Sequence, residues 1–111
     1  NLGGGRFLRP LFGQSVTGAT TVDVEVRVDA YNWDLVDGPA VSGIIECRYP
    51  ATDGSIQNCP GGYPMIINLV DGEWAGSIPV QANTNIELTF TPYNSNNVPT
   101  GIADTIRIKT N

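Results

Sequence analysis

Few residues in this sequence are of types that could carry covalent or metal chemistry. The chain has two cysteines, Cys47 and Cys59, and no histidine, which excludes a Ser-His-Asp triad and histidine-containing zinc sites. The cysteine spacing is not that of a C-x-x-C motif. A disulfide closing this short loop would stabilise the fold by about 3 kcal/mol. We therefore predict a Cys47–Cys59 disulfide and an oxidising compartment; the alternative is two buried free thiols in a cytosolic protein.

Three carboxylates, Asp23, Glu25 and Asp29, alternate along residues 20–30 and fall on one side of a predicted strand. Alternate strand residues are ~6.6 to 7 Å apart, so a pair of them is geometrically able to hydrolyse a glycosidic bond or bind calcium. A sandwich formed by 111 residues leaves little room for a deep, water-excluding cleft, and Arg27 stands among the acids. We therefore expect a solvated strand face, no enzyme activity, no metal and no cofactor.

Alternation of apolar and polar residues runs through most of the chain and predicts an all-β domain. The Asp71-Gly72 pair is the strongest turn signal, because a tight two-residue turn needs the positive φ that Gly accepts and Asp tolerates. No segment has a sustained helical period, so we expect no helix. Six strands are predicted, at residues 20–30, 41–49, 64–70, 73–82, 84–93 and 102–110. Those around the Asp71-Gly72 turn are expected to form a β-meander.

The valine-rich strand shows which face of a strand should be buried. Alternate valines at residues 22–28 point inward, because a one-residue slip would bury four charges. The same parity argument places Trp74 and Ile78 inside in a later strand. In the last strand it places Ile102 and Ile108 inside.

The chain is acidic, with eleven Asp and Glu against six Lys and Arg, a formal charge of −5 and a pI near 4.3. So few basic residues cannot assemble the patch that nucleic acid or an anionic membrane requires. No apolar run approaches the ~20 residues of a membrane-spanning helix. Since the first residue is Asn1 and no signal sequence is visible, we expect a mature chain whose leader has been removed, or an excised module.

Residues 1–16 differ in composition from the rest and predict an N-terminal arm, with the sandwich formed by residues 17–111. Pro10 excludes this arm from a central strand position. Four apolar residues of the arm are candidates for an interface: Phe7, Leu8, Leu11 and Phe12. Two alternatives are open. The arm packs on its own domain as an edge strand, or it is donated to a neighbouring copy, which would propagate into a filament.

Aromatic residues in turn-rich connections are candidates for contact with a ligand. Tyr31 and Trp33 are placed so that their rings could form a shelf for a sugar, and Tyr49 and Tyr63 are further candidates for sugar contact. A Trp near the end of a strand can equally seal the core. Carbohydrate binding is therefore the alternative function, and it depends on Trp33 and Tyr63 lying exposed on one surface.

Three short segments carry a resemblance to a known family: Asp71-Gly72-Glu73-Trp74, Glu87-Leu88-Thr89-Phe90-Thr91 and Thr105-Ile106-Arg107-Ile108. They are similar to the D-G-x-W turn, the T-x-T strand and the final strand of the bacterial immunoglobulin-like modules that occur in tandem on surface and secreted proteins. The resemblance covers about residues 41–110. It implies a single immunoglobulin-like antiparallel β-sandwich of about seven strands. Because such modules share no catalytic residues, it also implies a role as a spacer or adhesive unit.

The strand count adds a weaker resemblance. Six strands are predicted where an immunoglobulin-like sandwich typically has seven, and the arm is able to supply the missing one. If a neighbouring copy supplied this strand, the chain would resemble donor-strand pilus subunits. This resemblance rests on the strand count and not on a sequence motif. We therefore predict an extracellular or cell-surface structural or adhesive subunit. Its expected partners are copies of itself or neighbouring modules of a larger surface protein, with a glycan as the alternative.

Overall fold

The structure, a computed structural model, describes residues 4–18, 20–28 and 38–111. This part of the chain contains strands and no helix, so it contains no helix long and apolar enough to cross a membrane. The strands are β1 Gly5–Arg9, β2 Ser15–Val16, β3 Thr21–Val28, β4 Ala40–Pro50, β5 Ile56–Asn58, β6 Met65–Asn68, β7 Glu73–Pro79, β8 Asn85–Asn94 and β9 Asp104–Thr110. The predicted all-β class is confirmed, and the six predicted strands correspond to β3, β4, β6, β7, β8 and β9.

The strands form two sheets whose inner faces share one hydrophobic core. Sheet A has the order β1-β3-β7, and sheet B has the order β2-β9-β8-β4-β5. Strands β5 and β6 pair with the same edge of β4. Strand β5 pairs with the last three residues of β4, Arg48–Pro50, and β6 pairs with the earlier residues Ser42–Ile45. The strand pairs are antiparallel except β2–β9, a short parallel pair. Residues from both sheets belong to a single buried cluster that contains the ring of Phe90.

The inward parity predicted for most strands is confirmed. The four valines of β3 are at most 5% exposed, and Ile78 on β7 is fully buried. The prediction for Ile102 is wrong, because this side chain is 64% exposed and precedes β9. The ladder between β8 and β9 ends at the pair Phe90–Asp104, and Pro92 beyond it has no N–H to extend the ladder.

The Asp71-Gly72 turn forms as predicted, but the meander does not. The φ angles are 52° at Asp71 and 77° at Gly72, and the N–H of Val70 and of Glu73 each donates to the other's carbonyl oxygen, at 2.9 and 3.0 Å. However, β6 lies in sheet B, β7 lies in sheet A and β8 returns to sheet B. Alternation identifies the buried face of a strand, but both sheets offer an apolar face, so the pattern does not assign a strand to a sheet.

Both halves of the N-terminal arm pair with their own domain. Strand β1 lies antiparallel to β3; after the cis peptide bond between Arg9 and Pro10, the chain crosses to sheet B and β2 pairs with β9. Phe7 is 7% exposed, and its ring packs edge-on against that of Phe90 with centroids 6.3 Å apart. The arm therefore supplies an edge strand to each sheet.

The described chain enters and leaves the sandwich at opposite ends. Near its start, Gly5 N–H donates to the carbonyl oxygen of Ile102, just before β9 begins, at 3.0 Å. At the far end of β9, Thr110 N–H donates to the carbonyl oxygen of Thr84 at 2.8 Å. We refer to the latter as the Thr110 end. The molecule is elongated, with extents of 44 × 23 × 21 Å.

Candidate functional site

The outer face of sheet A holds two of the acidic residues considered for catalysis, and both have partners. Asp23 accepts a hydrogen bond from the Ser77 hydroxyl at 2.6 Å, and Glu25 forms an ion pair with Arg9 at 2.8 Å. Asp29 lies outside the described residues. Within the described ranges, no group of three or more His, Cys, Asp or Glu is placed to hold a metal ion. Such cross-strand pairs stabilise a sheet by roughly 0.2–1 kcal/mol each, which suits a solvated strand face.

The predicted disulfide is confirmed. Cys47 on β4 and Cys59 just after β5 are joined, with their Cα atoms 5.4 Å apart, and the two side chains are 0% and 3% exposed. The N–H of Cys59 also donates to the carbonyl oxygen of Cys47 at 2.8 Å. This covalent bond fixes the hairpin that carries β5 against the body of sheet B.

Of the predicted sugar-contact residues, Tyr49 and Tyr63 lie within the described part of the chain, and Tyr63 is engaged by its own domain. Its ring packs against the core, and its hydroxyl donates to the carbonyl oxygen of Pro79 at 2.6 Å. Burial raises the pKa of Tyr63 to about 12. Tyr63 therefore ties the loop after the disulfide to β7, and its hydroxyl is already engaged. The other two, Tyr31 and Trp33, lie outside the described residues.

The four arm residues proposed as an interface occupy different environments. Phe7 is buried and Leu8 is partly buried, because β1 lies against its own domain. Leu11 and Phe12 are 65% and 66% exposed, in the turn between β1 and β2. Of these four side chains, those of Leu11 and Phe12 are therefore the ones exposed for contact with another molecule.

A groove of about 780 Å³ crosses the outer face of sheet B near the Thr110 end. Its floor is formed by outward side chains of β8 and β9 and of the end of β4, and we call it the sheet B groove. One wall is the turn that carries Phe12, and the other is strand β5. The exposed side chains of Phe12 and Ile56, at 66% and 65%, stand on opposite walls. The groove therefore combines a polar floor with apolar walls.

The arm wall is held to β9 by backbone hydrogen bonds. Gly13 N–H donates to the carbonyl oxygen of Arg107 at 2.7 Å, and Lys109 N–H donates to that of Gln14 at 3.0 Å. Gly13 has a φ of 81° with nothing within 4 Å of where a Cβ would stand, so backbone conformation and not space selects glycine here. This turn projects Phe12 beside the floor of the groove.

The opposite wall begins with a side-chain-stabilised turn between β4 and β5. One Asp53 carboxylate oxygen accepts hydrogen bonds from the Ser55 hydroxyl at 2.6 Å and from the Ser55 N–H at 2.9 Å. These bonds lower the pKa of Asp53. Gly54 between them has a φ of 87°. The turn sets the position of Ile56, and the disulfide closes the same hairpin on its other side.

Three cations lie on the floor of the sheet B groove. Arg107 pairs with Glu87 at 3.2 Å, and Arg48, which stands opposite Glu87 in the strand register, pairs with Glu46. Glu46 does not line the groove. Lys109 forms no ion pair with any residue of the described ranges. The floor thus carries three positive charges, of which those of Arg107 and Arg48 are paired with Glu87 and Glu46.

The sheet B groove could not be located from the sequence for a specific reason. Arg48, Arg107 and Lys109 all occupy outward positions of alternating strands, a signal that was visible. Their proximity depends on β4, β8 and β9 being neighbours, and the predicted meander gave a different set of neighbours. Phe12 was identified as an interface residue of the arm, but Ile56, in a long loop region, was not.

Comparisons with known proteins add no assignment for this site. No protein-family model matches the chain, and no curated protein matches it significantly. The groove itself offers ionic, hydrogen-bonding and apolar contacts, which are the components of non-covalent binding.

Proposed function

We propose that the chain is an immunoglobulin-like structural or adhesive module that works outside the cytoplasm. The strand order is the observation that carries this proposal. With β1, β3 and β7 as strands A, B and E, and β4, β8 and β9 as strands C, F and G, sheet A has the order A-B-E and sheet B contains the neighbours C-F-G. Strands β5 and β6 then occupy the far side of C. This order agrees with the family resemblance of residues 41–110.

The disulfide supports the extracytoplasmic location. Reducing systems keep most cytosolic thiols free, whereas disulfides persist in secreted and surface proteins. Cys47 and Cys59 are both buried and joined to each other. A bond of this kind, closing a hairpin, serves stability and not redox turnover.

The spatial arrangement of the chain supports a role in a linear assembly. Gly5 and Thr110 lie at opposite ends of an elongated domain. Modules linked through opposite ends form a row, so a series of them spaces a terminal unit away from a surface. This fits the proposed partners, which are neighbouring modules of a larger surface protein or further copies of the chain.

Polymerisation through the arm is a narrower form of the proposal. Strands β1 and β2 already complete an edge of each sheet in their own domain, which favours a self-complete module. Exchange of arms between copies would reproduce the same pairs between molecules. It would be recognised by a native mass greater than that of one chain.

The proposal is tested by the state of the cysteines and the accessibility of the protein in intact cells of its source. Alkylation before lysis, followed by mass spectrometry, should find Cys47 and Cys59 oxidised, and added protease should digest the protein without cell lysis. A Cys59→Ser variant provides the control for alkylation of the remaining thiol. Free thiols on a protein that protease reaches only after lysis would contradict the proposal.

A further inference from the structure

We propose that the sheet B groove binds an acidic polysaccharide, through its uronate carboxylates and the apolar faces of its sugar rings. This inference deepens the adhesive role and rests on the proposed function, because it supplies that role with a ligand class. Of the aromatic residues predicted for sugar contact, Tyr49 lines this groove and Tyr63 does not.

The charge of the groove points to an anionic ligand. Arg48, Arg107 and Lys109 are three of the chain's six basic residues, and they share the groove with one acid, Glu87. Counted with Glu87 and Glu46, the carboxylates that pair with Arg107 and Arg48, these groups give +1, whereas the whole chain carries −5. Lys109 has no ion-pair partner in the described ranges, so its ammonium group is available to a carboxylate.

The walls select an amphipathic ligand over a small inorganic anion. Phe12 and Ile56 face the groove from opposite sides with about two-thirds of each side chain exposed. An aromatic ring packs against the C–H face of a pyranose, and the hydroxyls of that sugar need polar partners nearby. Ser15 and Asn85, both exposed on the groove surface, provide such partners. The volume of about 780 Å³ suits a short run of sugar rings.

The backbone around the groove favours a glycan over a peptide. Extended peptides commonly bind by adding a strand to an open sheet edge. Here β9 lies between β2 and β8, and β8 lies between β9 and β4, so the strands of the floor are paired on both sides. A ligand that lies across the floor of the groove is therefore recognised through side chains.

The test is a titration of the purified, oxidised protein, followed by amide NMR shifts. The probes are oligomers of galacturonate, glucuronate and mannuronate, each beside its carboxyl-reduced neutral counterpart, and polyglutamate. We expect at least one uronate to produce saturable shifts. These shifts should centre on β8, β9 and the β4–β5 turn, and salt should weaken them. Lys109→Gln and Phe12→Ala should each raise Kd about fivefold, which corresponds to roughly 1 kcal/mol.

Ile66→Ala is the matched control, because Ile66 is 76% exposed on the outer face of β6 but does not line the groove. It should leave Kd unchanged. The proposal is overturned if no uronate produces saturable shifts at about 10 mM. It is also overturned if neutral counterparts or polyglutamate bind equally well, or if shifts appear with protein concentration alone, which would mean that a second copy fills the groove. These results leave the cysteine and accessibility test untouched, so the two proposals fail separately.

Discussion

The two walls of the sheet B groove are fixed by different kinds of interaction. The arm wall, which carries Phe12, is held against the sandwich by non-covalent contacts only. These are the burial of Phe7 and the backbone pairing of β1 and β2. The opposite wall, with Ile56, belongs to a hairpin closed by the Cys47–Cys59 disulfide. Phe12 and Ile56 are almost equally exposed. The position of the Phe12 wall depends on core packing, whereas the position of the Ile56 wall depends on the oxidised state of the two cysteines.

Because the two walls are anchored differently, their stability should respond to different conditions. A disulfide acts mainly by restricting the unfolded chain, so the β5 wall should depend on redox state. The arm depends on burial of one aromatic ring in the common core, so it should depend on core packing. Changes that weaken one anchor should therefore leave the other largely in place.

The largest effect is expected from the non-covalent anchor. Phe7→Ala should lower the free energy of unfolding by about 3–5 kcal/mol, because it removes a buried ring that packs on Phe90. Phe12→Ala, in the same arm but with an exposed ring, should change it by about 0.5 kcal/mol or less. Urea denaturation measures both. Equal losses in the two variants would contradict the division of the arm into a buried and an exposed half.

Removing the covalent anchor should have a slightly smaller effect. Replacing Cys47 and Cys59 together by Ala should lower the free energy of unfolding by about 3 kcal/mol. Amide exchange should increase mainly around β5, while β1 keeps its protection. The same denaturation series in oxidised and reduced wild-type protein provides the comparison. Loss of protection in β1 that equals the loss in β5 would show that the two walls are not independent.

Two glycines of the arm offer a sharper contrast. A Cβ at Gly5 would stand 2.7 Å from the Phe90 ring, whereas a Cβ at Gly13 would meet nothing within 4 Å. Gly5→Ala should therefore cost about 1–3 kcal/mol through overpacking, and Gly13→Ala about 1 kcal/mol through its positive φ.

Substitution by asparagine distinguishes steric overlap at Gly5 from the positive φ at Gly13, because asparagine tolerates a positive φ better than alanine does. Gly13→Asn should recover part of the stability lost in Gly13→Ala, but Gly5→Asn should be no better than Gly5→Ala. Thermal unfolding of the four variants ranks their stabilities. Recovery at Gly5 would mean that its backbone conformation and not the nearby ring selects glycine.

The smallest effect concerns Tyr63, which secures the loop that follows the disulfide. The folded-state pKa of about 12 exceeds the ordinary value of 10.0, so the folded protein holds this proton more tightly than the unfolded chain. The resulting stabilisation is complete below pH 10 and is lost as the pH rises towards 12. Because the ring is only half-buried and solvent screens the charge, the loss should be about 1 kcal/mol or less.

Tyr63→Phe is the matched variant, since it keeps the ring and removes the titrating hydroxyl. The difference in unfolding free energy between wild type and this variant should shrink between pH 10 and pH 12. Below pH 10 it should stay constant, at about 1 kcal/mol for the lost hydrogen bond to Pro79. A difference that does not change with pH would contradict the burial of the hydroxyl.

Local features of the fold could be predicted from the sequence because they depend on neighbouring residues. The alternation of valines identified the buried face of β3, and the Asp71-Gly72 pair identified a tight turn. The assignment of β6 and β7 to different sheets could not be predicted, because an apolar face fits either sheet. The same limit hid the groove, since its floor residues come from strands that are distant in sequence.

The arm illustrates the limit most directly. Composition alone identifies one apolar segment that contains Phe7, Leu8, Leu11 and Phe12. The structure separates them at Pro10, where the chain leaves sheet A for sheet B. Only the register of β1 against β3 shows that Phe7 reaches the core while Phe12 does not.

The most direct test of the central claim, that the arm completes its own domain, is the native mass of the oxidised protein by light scattering. It should be run over a wide range of concentrations, beside a variant lacking residues 1–16. A full-length monomer of 11.8 kDa is expected at all concentrations, and the truncated variant should be much less stable. Full-length assemblies that grow with concentration, and that become monomers when residues 1–16 are removed, would contradict it.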